Sequence, residues 1–487
     1  MMKHATFYSR IFQFVKNHPY FSLLFLIAAA LRFYIPTATQ NFALDEARDS
    51  YAIWYLFQGH FPLLGPTSSL GNIHLGPFYY YLMAPALWLA NFNPLGMTYF
   101  TIVLSLVTIG FLYFFSQKIF NKTTTLLITS LYAFSAPILN HARFAWQPNI
   151  LPLFALLLFY CLWQLLQNKN FKVLPWIGLL LGICLQLHYS SIFIIPAIAV
   201  VLWLAIKKDK KLYKLLKPGL QSLGLFLLVL SSFIYSELIN GLPNIQLLLQ
   251  FSGTTVSLGM QGFAGHLFRV FSQSLAGLLG FTQTNWLSSL VSAGLLILAA
   301  KSSKTKIWYL SVFYYLFGVL GLSLLPKTAQ HYFSFMYFLP FLLIGLVVDC
   351  YFKKVKSIYV LSIVVGFIFL QWPAYNFLKP LTWQIQDFKN LAWEIDMQSS
   401  GQKYNLISIK PDGEYMALPY RYFFDIANTQ VAPANDYDHL DAIYVISNSL
   451  EKPDQILATL AKQIDWPSRY IKTLKLKNQD YMYIFTL

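Results

Sequence analysis

The sequence predicts a polytopic α-helical membrane protein with about 11 transmembrane helices, juxtamembrane helices on the outer face, and a small external α/β domain at its C-terminal end. Three observations predict this class. Of the 487 residues, 57% are hydrophobic and only 11% are charged, too little charge to cover a soluble surface. Apolar runs near the length of a hydrocarbon core recur through the first three quarters of the chain. The composition then shifts towards that of a soluble protein at residue 377, giving a transmembrane domain over 1–376 and an external domain over 377–487.

The N-terminal run over 20–36 follows Lys3, Arg10 and Lys16 and is expected to be retained as an anchor. Ala28, Ala29 and Ala30 resemble a cleavage region, but Arg32 continues the segment. Further apolar runs lie near 77–91, 96–116, 124–139, 149–166, 174–188, 190–206, 219–239, 285–300, 307–325, 332–351 and 357–376.

Charge decides which of these twelve cross. If 77–91 lies along the outer surface, 19 loop lysines and arginines fall inside and four (Arg48, Arg143, Arg269, Lys327) fall outside. If it crosses, sixteen of the nineteen move outside, which the positive-inside rule strongly disfavours. The expectation is therefore a multi-pass plasma-membrane protein with a cytoplasmic N-terminus. Tyr79, Tyr80, Tyr81 and Trp88 suit an interfacial helix. Two outer loops are long, 37–95 and 240–284; the second reads as a segment lying on the surface.

In the C-terminal part, 406–410, 442–447, 470–477 and 481–487 read as strands, and 387–396, 413–426 and 454–464 as helices. The net charge of +16 belongs to the membrane part: residues 1–376 hold 24 basic against six acidic residues, and 377–487 hold 11 against 13. That distribution argues against nucleic acid as a partner and leaves membrane lipids as neighbours. Cys161, Cys184 and Cys350 sit in or at the end of apolar runs with no metal or disulfide spacing.

The six acids of the membrane part are the main chemical signal. Asp209 and Asp349 fall on the cytoplasmic side and Glu237 closes a helix outside. Asp45, Glu46 and Asp49 fall together in LDEARD, just after the first span. Helix capping by Asp45 and favourable first-turn charge account for them without any chemistry. The same placement suits a general base for an acceptor hydroxyl beside the bilayer. The cations facing it from the outer side suit a lipid-borne phosphate. Arg143 and Arg269 are candidates, with snorkelling to headgroups as the ordinary alternative. His74, His141, His188, His266 and His331 lie near the same side, and Lys327 and His331 open a helix there. No ligand cluster beyond the early acids indicates a metal, and no cofactor is expected.

The motifs LRFYIP, FALDEARDSYAIWYLFQGHFP, LGPFYYYL and FFSQKIFNKTTTLLITSLYAFSAPILNHARFAWQP, in this order, resemble GT-C type glycosyltransferases that use polyprenyl-phosphate sugars. The protein O-mannosyltransferases and lipid A aminoarabinose transferases are among them, and the likeness covers about residues 20–350 in layout. It implies an inverting transfer of a hexosyl or pentosyl group from a polyprenyl-phosphate sugar to an acceptor hydroxyl on a glycan, lipid or protein. By position, Asp45 takes the general-base role with Glu46 assisting, His74 falls at the phosphate-binding position, and Lys327 or His331 matches a later basic and aromatic cluster. The aminoarabinose branch has a lysine near His74 and an acid in the next outer loop, where this chain has Gln147, Pro148 and Asn149. Two other classes stay open: a lipid-glycan flippase, which needs charged residues along a buried path, and a non-catalytic envelope assembly protein.

Overall fold

The computed structural model describes residues 7–40, 42–68, 73–207, 213–247, 259–281, 286–302, 304–325, 327–352, 356–399, 401–409, 416–427, 429–460, 469–477 and 480–486. The expected cytoplasmic Lys3, Lys208, Lys210, Lys211, Lys353 and Lys354 lie outside these residues, as do 248–258 and 282–284 of the second long loop. The chain divides into two compact units. One comprises 1–34, 62–82 and 99–376; the other comprises 35–61, 83–98 and 377–487.

The first unit is helical. Leu95–Ser116, Gln147–Asn168, Tyr189–Ile206, Leu215–Ile239 and Lys306–Ser323 are long and apolar enough to cross a membrane. Gln330–Met336 and Leu339–Tyr351, bent by 53°, make a sixth if they form one span. Pro19–Arg32, Phe171–Leu187, Trp286–Lys301 and Ile358–Ala374 are shorter apolar helices. The chain is a multi-pass membrane protein. Phe78–Leu89 has 12 residues, about 18 Å at the helical rise and well short of a ~30 Å hydrocarbon core.

Local chemistry explains where these helices start. Pro19, Pro148, Pro175, Pro196 and Pro340 occupy first-turn positions, where a missing N–H costs nothing. Asn121 caps Lys122–Phe134 by accepting from the Thr124 N–H at 3.0 Å. Gln147–Asn168 is apolar on nearly all sides and mostly buried, as a central helix must be. Tyr213–Ile239 instead exposes Leu216, Leu220, Leu223, Leu227 and Leu228, a lipid-facing surface. Its other side meets Gly178 and Gly182, one turn apart on Leu174–Leu187; a Cβ on Gly178 would overlap the Ser222 carbonyl oxygen.

The second long loop differs from the sequence expectation. Gly259–Ala276 is an 18-residue helix packed on Trp286–Lys301 and Lys306–Ser323. Its glycines and glutamines weakened the periodic signal, while Val270, Leu275 and Ala276 are buried.

The second unit is a four-stranded sheet covered on both faces. The strands are β1 (Tyr404–Ser408), β2 (Ala442–Ser447), β3 (Arg469–Lys475) and β4 (Tyr481–Thr486), in the order β1-β2-β4-β3. β1 and β2 are parallel, with Tyr404 opposite Ala442, and the other two pairs are antiparallel. The period-2 pattern sorts the side chains. Tyr404, Leu406, Tyr444, Ile446, Met482 and Ile484 join one core, while Ile407, Ile443, Val445, Tyr483 and Phe485 join the other. β3 is an exposed edge carrying Lys472 and Lys475.

The helices of this unit are Ile385–Ser399, Leu418–Ile426 and Pro453–Leu460. The expected helix ends at 413–415 and 461–464, together with Lys410 and Leu487 of the expected strands, lie outside the described residues. The first core also takes in Phe42, Ala47 and Tyr51, far earlier in the sequence.

Candidate active site

The acid-bearing helix Leu44–Phe57 belongs to the second unit. Ala47 and Tyr51 bury one side of it in the core with Tyr422 and Phe423. Tyr51 donates its hydroxyl to Asp425 Oδ2, and burial raises both groups above their usual ranges.

That anchoring sets the positions of the three carboxylates. The N-cap residue is Ala43, so Asp45 does not cap the helix as the sequence suggested. Glu46, at the third helical position, does the capping: its Oε2 accepts from the Ala43 N–H at 3.3 Å. Asp45 is instead held by Arg48, whose Nη1 donates to its Oδ1 at 2.7 Å. The same guanidinium reaches Asp49 Oδ1 at 2.9 Å from Nε and 2.8 Å from Nη2.

Exposure separates the three acids. Asp45 has 44% of its side chain exposed, Asp49 has none, and Glu46 is 2% exposed as a residue. Burial pushes the Glu46 carboxyl up to about 8, against the lowering effect of its hydrogen bonds to backbone N–H groups and with smaller upward contributions from Asp45 and Asp49. Its Oε1 is buried without a hydrogen-bond partner among the described residues. One carboxylate is thus accessible and paired, a second is buried and paired, and a third is held neutral around neutral pH.

The expected phosphate-contact residues belong to the first unit. His74 is half-buried; its Nδ1 lies 3.2 Å from Gly65 O, and its N–H donates to Asn244 Oδ1 at 2.6 Å. Asn244 is held by Glu237, which closes its helix end by accepting from the turn that follows.

Arg143 donates to Leu31 O at 2.6 Å and Tyr34 O at 2.6 Å, and also to Arg32 O. It binds the carbonyl end of Pro19–Arg32, where a cation is favoured. Arg269 is exposed on Gly259–Ala276, one turn from buried His266. Lys327 is exposed just before the Gln330–Met336 turn.

His331 is the second residue of that segment and packs in an aromatic group: its ring centroid is 4.5 Å from Trp146, 5.5 Å from His188 and 4.7 Å from Tyr332. His141 Nδ1 lies 3.0 Å from Tyr337 Oη. Burial pushes His141 down to about 4, so its imidazole is neutral at physiological pH. Among the described residues, no group of three or more His, Cys, Asp or Glu could hold a metal ion.

Residues 74–235 match the dolichyl-phosphate-mannose-protein mannosyltransferase family, about a third of the chain. Two crystal structures of ArnT from Cupriavidus metallidurans align over nearly the whole chain. The apo state gives a TM-score of 0.59 at 11% identity, covering 95% of this chain and 97% of that one. The undecaprenyl-phosphate-bound state gives 0.62 at 10% identity with the same coverage.

The fold is that of ArnT. The GT-C-like architecture expected from the sequence is therefore present, with the small C-terminal sheet, and the chain resembles both the mannosyltransferase family and ArnT. The mycobacterial arabinofuranosyltransferase AftD also aligns, at a TM-score of 0.42 and 12% identity over 96% of this chain and 41% of its own. No curated protein sequence matches the chain.

Sequence reasoning did not find Arg48 as the clamp on two carboxylates, nor Asp425 as the partner of Tyr51. The first was visible as an arginine three residues after Asp45, on the same helical face. The second, 374 residues away, left no local signal.

Proposed function

We propose that the chain is an integral membrane glycosyltransferase that takes a hexosyl or pentosyl group from a polyprenyl-phosphate sugar and transfers it, with inversion, to an acceptor hydroxyl at the outer face. The observation that carries this reading is the division of labour among the three carboxylates at the start of Leu44–Phe57. Asp45 is the accessible one, and Arg48 fixes it through Oδ1. It takes the proton of the acceptor hydroxyl as that oxygen attacks the anomeric carbon. The bond from the anomeric carbon to the phosphate oxygen breaks, and polyprenyl phosphate leaves from the opposite face.

Glu46, neutral near pH 7, is placed to orient or donate rather than to compete as a base. Arg269 and Lys327 are exposed cations of the first unit, of the kind a departing phosphate needs, and His74 is the third candidate for phosphate contact. The ArnT fold, solved for that protein with undecaprenyl phosphate bound, supports a lipid-phosphate donor here. The mannosyltransferase match supports sugar transfer. No step calls for a metal. The lysine distribution supports a cytoplasmic N-terminus and an external C-terminal unit in the plasma membrane.

Membranes containing the protein, supplied with a panel of polyprenyl-phosphate sugars and analysed by mass spectrometry, should yield glycosylated products. Asp45→Asn keeps the shape but removes the base. Full transfer activity in folded D45N protein would reject the role of Asp45.

A further inference from the structure

Four helices of the first unit end around one cavity. Lys118 follows Leu95–Ser116, Gln167 lies in the last turn of Gln147–Asn168, Lys306 opens Lys306–Ser323, and Asp349 and Cys350 lie in the last turn of Leu339–Tyr351. All of them line a space of about 340 Å³, a size that holds small ligands elsewhere. Three of these helices are long and apolar enough to cross a membrane, and the fourth belongs to the bent pair. The cavity therefore lies where such helices end, at the level of lipid headgroups.

Its lining carries charges of both signs that do not neutralise one another. Lys118 and Lys306 are exposed, and neither forms an ion pair with Asp349 among the described residues. Lys306 Nζ donates to Gln167 O at 2.9 Å, which uses one of its three ammonium protons and holds the group at the wall. Asp349 accepts through Oδ1 from the Asn121 side-chain amide, and its Oδ2 has no partner among the described residues. Thr305 makes no side-chain capping bond, so the positive start of Lys306–Ser323 adds to the two ammonium groups. Lysines here satisfy the positive-inside rule, and Lys306 also meets a helix carbonyl end. Neither reason calls for a half-buried carboxylate in the same cavity.

A ligand matching this lining carries an anionic group and a cationic group close together. A simple anion would leave the carboxylate facing it, and a simple cation would leave two ammonium groups. The positive group must have N–H donors to serve Asp349 Oδ2, so a primary ammonium fits and a quaternary one does not. Phe120, Trp163 and Leu346 give the walls apolar surface for a glycerol backbone and the first methylenes of its chains.

We propose that this cavity binds the headgroup of a zwitterionic aminophospholipid, with its phosphate on Lys118 and Lys306 and its primary ammonium on Asp349. The site is independent of the sugar-transfer reading.

Cys350 reports on the cavity directly: it is half-buried in the wall, while Cys161 and Cys184, the other cysteines of the chain, are buried. Full-length protein is treated with a maleimide in nanodiscs of phosphatidylcholine, of phosphatidylglycerol, or of phosphatidylcholine mixed with phosphatidylethanolamine. Labelling of Cys350 should be about tenfold slower in the mixed discs than in either other disc, as a site about nine-tenths filled requires. Asp349→Asn keeps the acceptor for Asn121 and removes the charge, and Lys118→Gln removes one cation. Each should abolish the protection. Labelling in phosphatidylcholine should stay at the wild-type rate, which also shows that the variants are folded. Native mass spectrometry of protein taken from the mixed discs reads the same binding without the thiol. Wild type should retain one phosphatidylethanolamine and each variant none.

Equal rates in all three discs with no retained lipid overturn the site, as does protection that survives both substitutions. Equal protection by phosphatidylglycerol shows a site for phosphate alone and overturns the pairing with Asp349. Protection by soluble phosphoethanolamine added to phosphatidylcholine discs, as strong as that by the lipid, overturns the lipid as the source.

Discussion

Replacing Glu46 by Gln should stabilise the protein, and by an amount that grows with pH. The Glu46 carboxyl titrates at about 8 in the folded chain against a reference of 4.5, because burial opposes its charge. Below pH 4.5 the group is protonated in both folded and unfolded states, so its neutral capping bond is fully retained. Above pH 4.5 the unfolded chain ionises while the folded chain does not, and stability falls until the folded group also ionises near pH 8.

The linkage relation puts the loss at about 1 kcal/mol at pH 5, about 3 kcal/mol at pH 7 and close to 5 kcal/mol above pH 9. Glutamine cannot ionise, yet its amide oxygen can still accept from the Ala43 N–H. E46Q should therefore match wild type near pH 4.5 and exceed it progressively up to pH 9. Unfolding in detergent micelles, followed by tryptophan fluorescence across that range, measures the difference. Parallel Tm curves for the two proteins at all pH values would refute the claim that this carboxyl is buried and neutral. A variant less stable at high pH would reverse its sign.

Other perturbations test other parts of the structure. Asp45→Asn should lower transfer by about 10²–10⁴-fold, the usual worth of a positioned base, with little change in thermal stability. Arg143→Ala leaves the carbonyls of residues 31–34 without their donor and should cost about 3–5 kcal/mol in unfolding measurements; Arg143→Lys should recover only part, since an ammonium cannot span three acceptors in one plane. Tyr51→Phe and Asp425→Ala should each destabilise by about 1–3 kcal/mol, and the double variant by clearly less than the sum, when compared in a double-mutant cycle. Gly178→Ala should reduce the yield of folded protein in size-exclusion profiles, because the new methyl meets backbone of Tyr213–Ile239 rather than a movable side chain.

Much of the architecture was legible because its signals are local. The strand read at 442–447 is observed at Ala442–Ser447. Those at 406–410, 470–477 and 481–487 are met by Tyr404–Ser408, Arg469–Lys475 and Tyr481–Thr486, shifted by no more than two residues at either end. Alternation over a buried sheet leaves a clear period in the sequence. Gly259–Ala276 falls in the stretch that reads from sequence as a segment lying on the surface, because its glycines and glutamines interrupt the apolar pattern. What makes it a helix is packing against two neighbours.

The acid cluster was legible for the same local reason: three carboxylates within five residues stand out in a membrane part that has six. Their individual states were not. Nothing in LDEARD distinguishes Asp45 from Glu46, yet one is half exposed and paired to Arg48 while the other is buried and pushed up to about 8.

Composition, hydropathy and the placement of lysines therefore determined by themselves that this is a multi-pass membrane protein with a soluble-like C-terminal part and a rare cluster of acids after its first apolar run. Each is a property of neighbouring residues in the sequence. The tertiary structure alone decided that residues 35–61 fold with the C-terminal sheet, that Tyr51 meets Asp425, and that Arg143 is taken up by carbonyls. Those outcomes depend on which surfaces exclude water together, and burial sets both the charge a carboxyl can carry and the partners a cation must take.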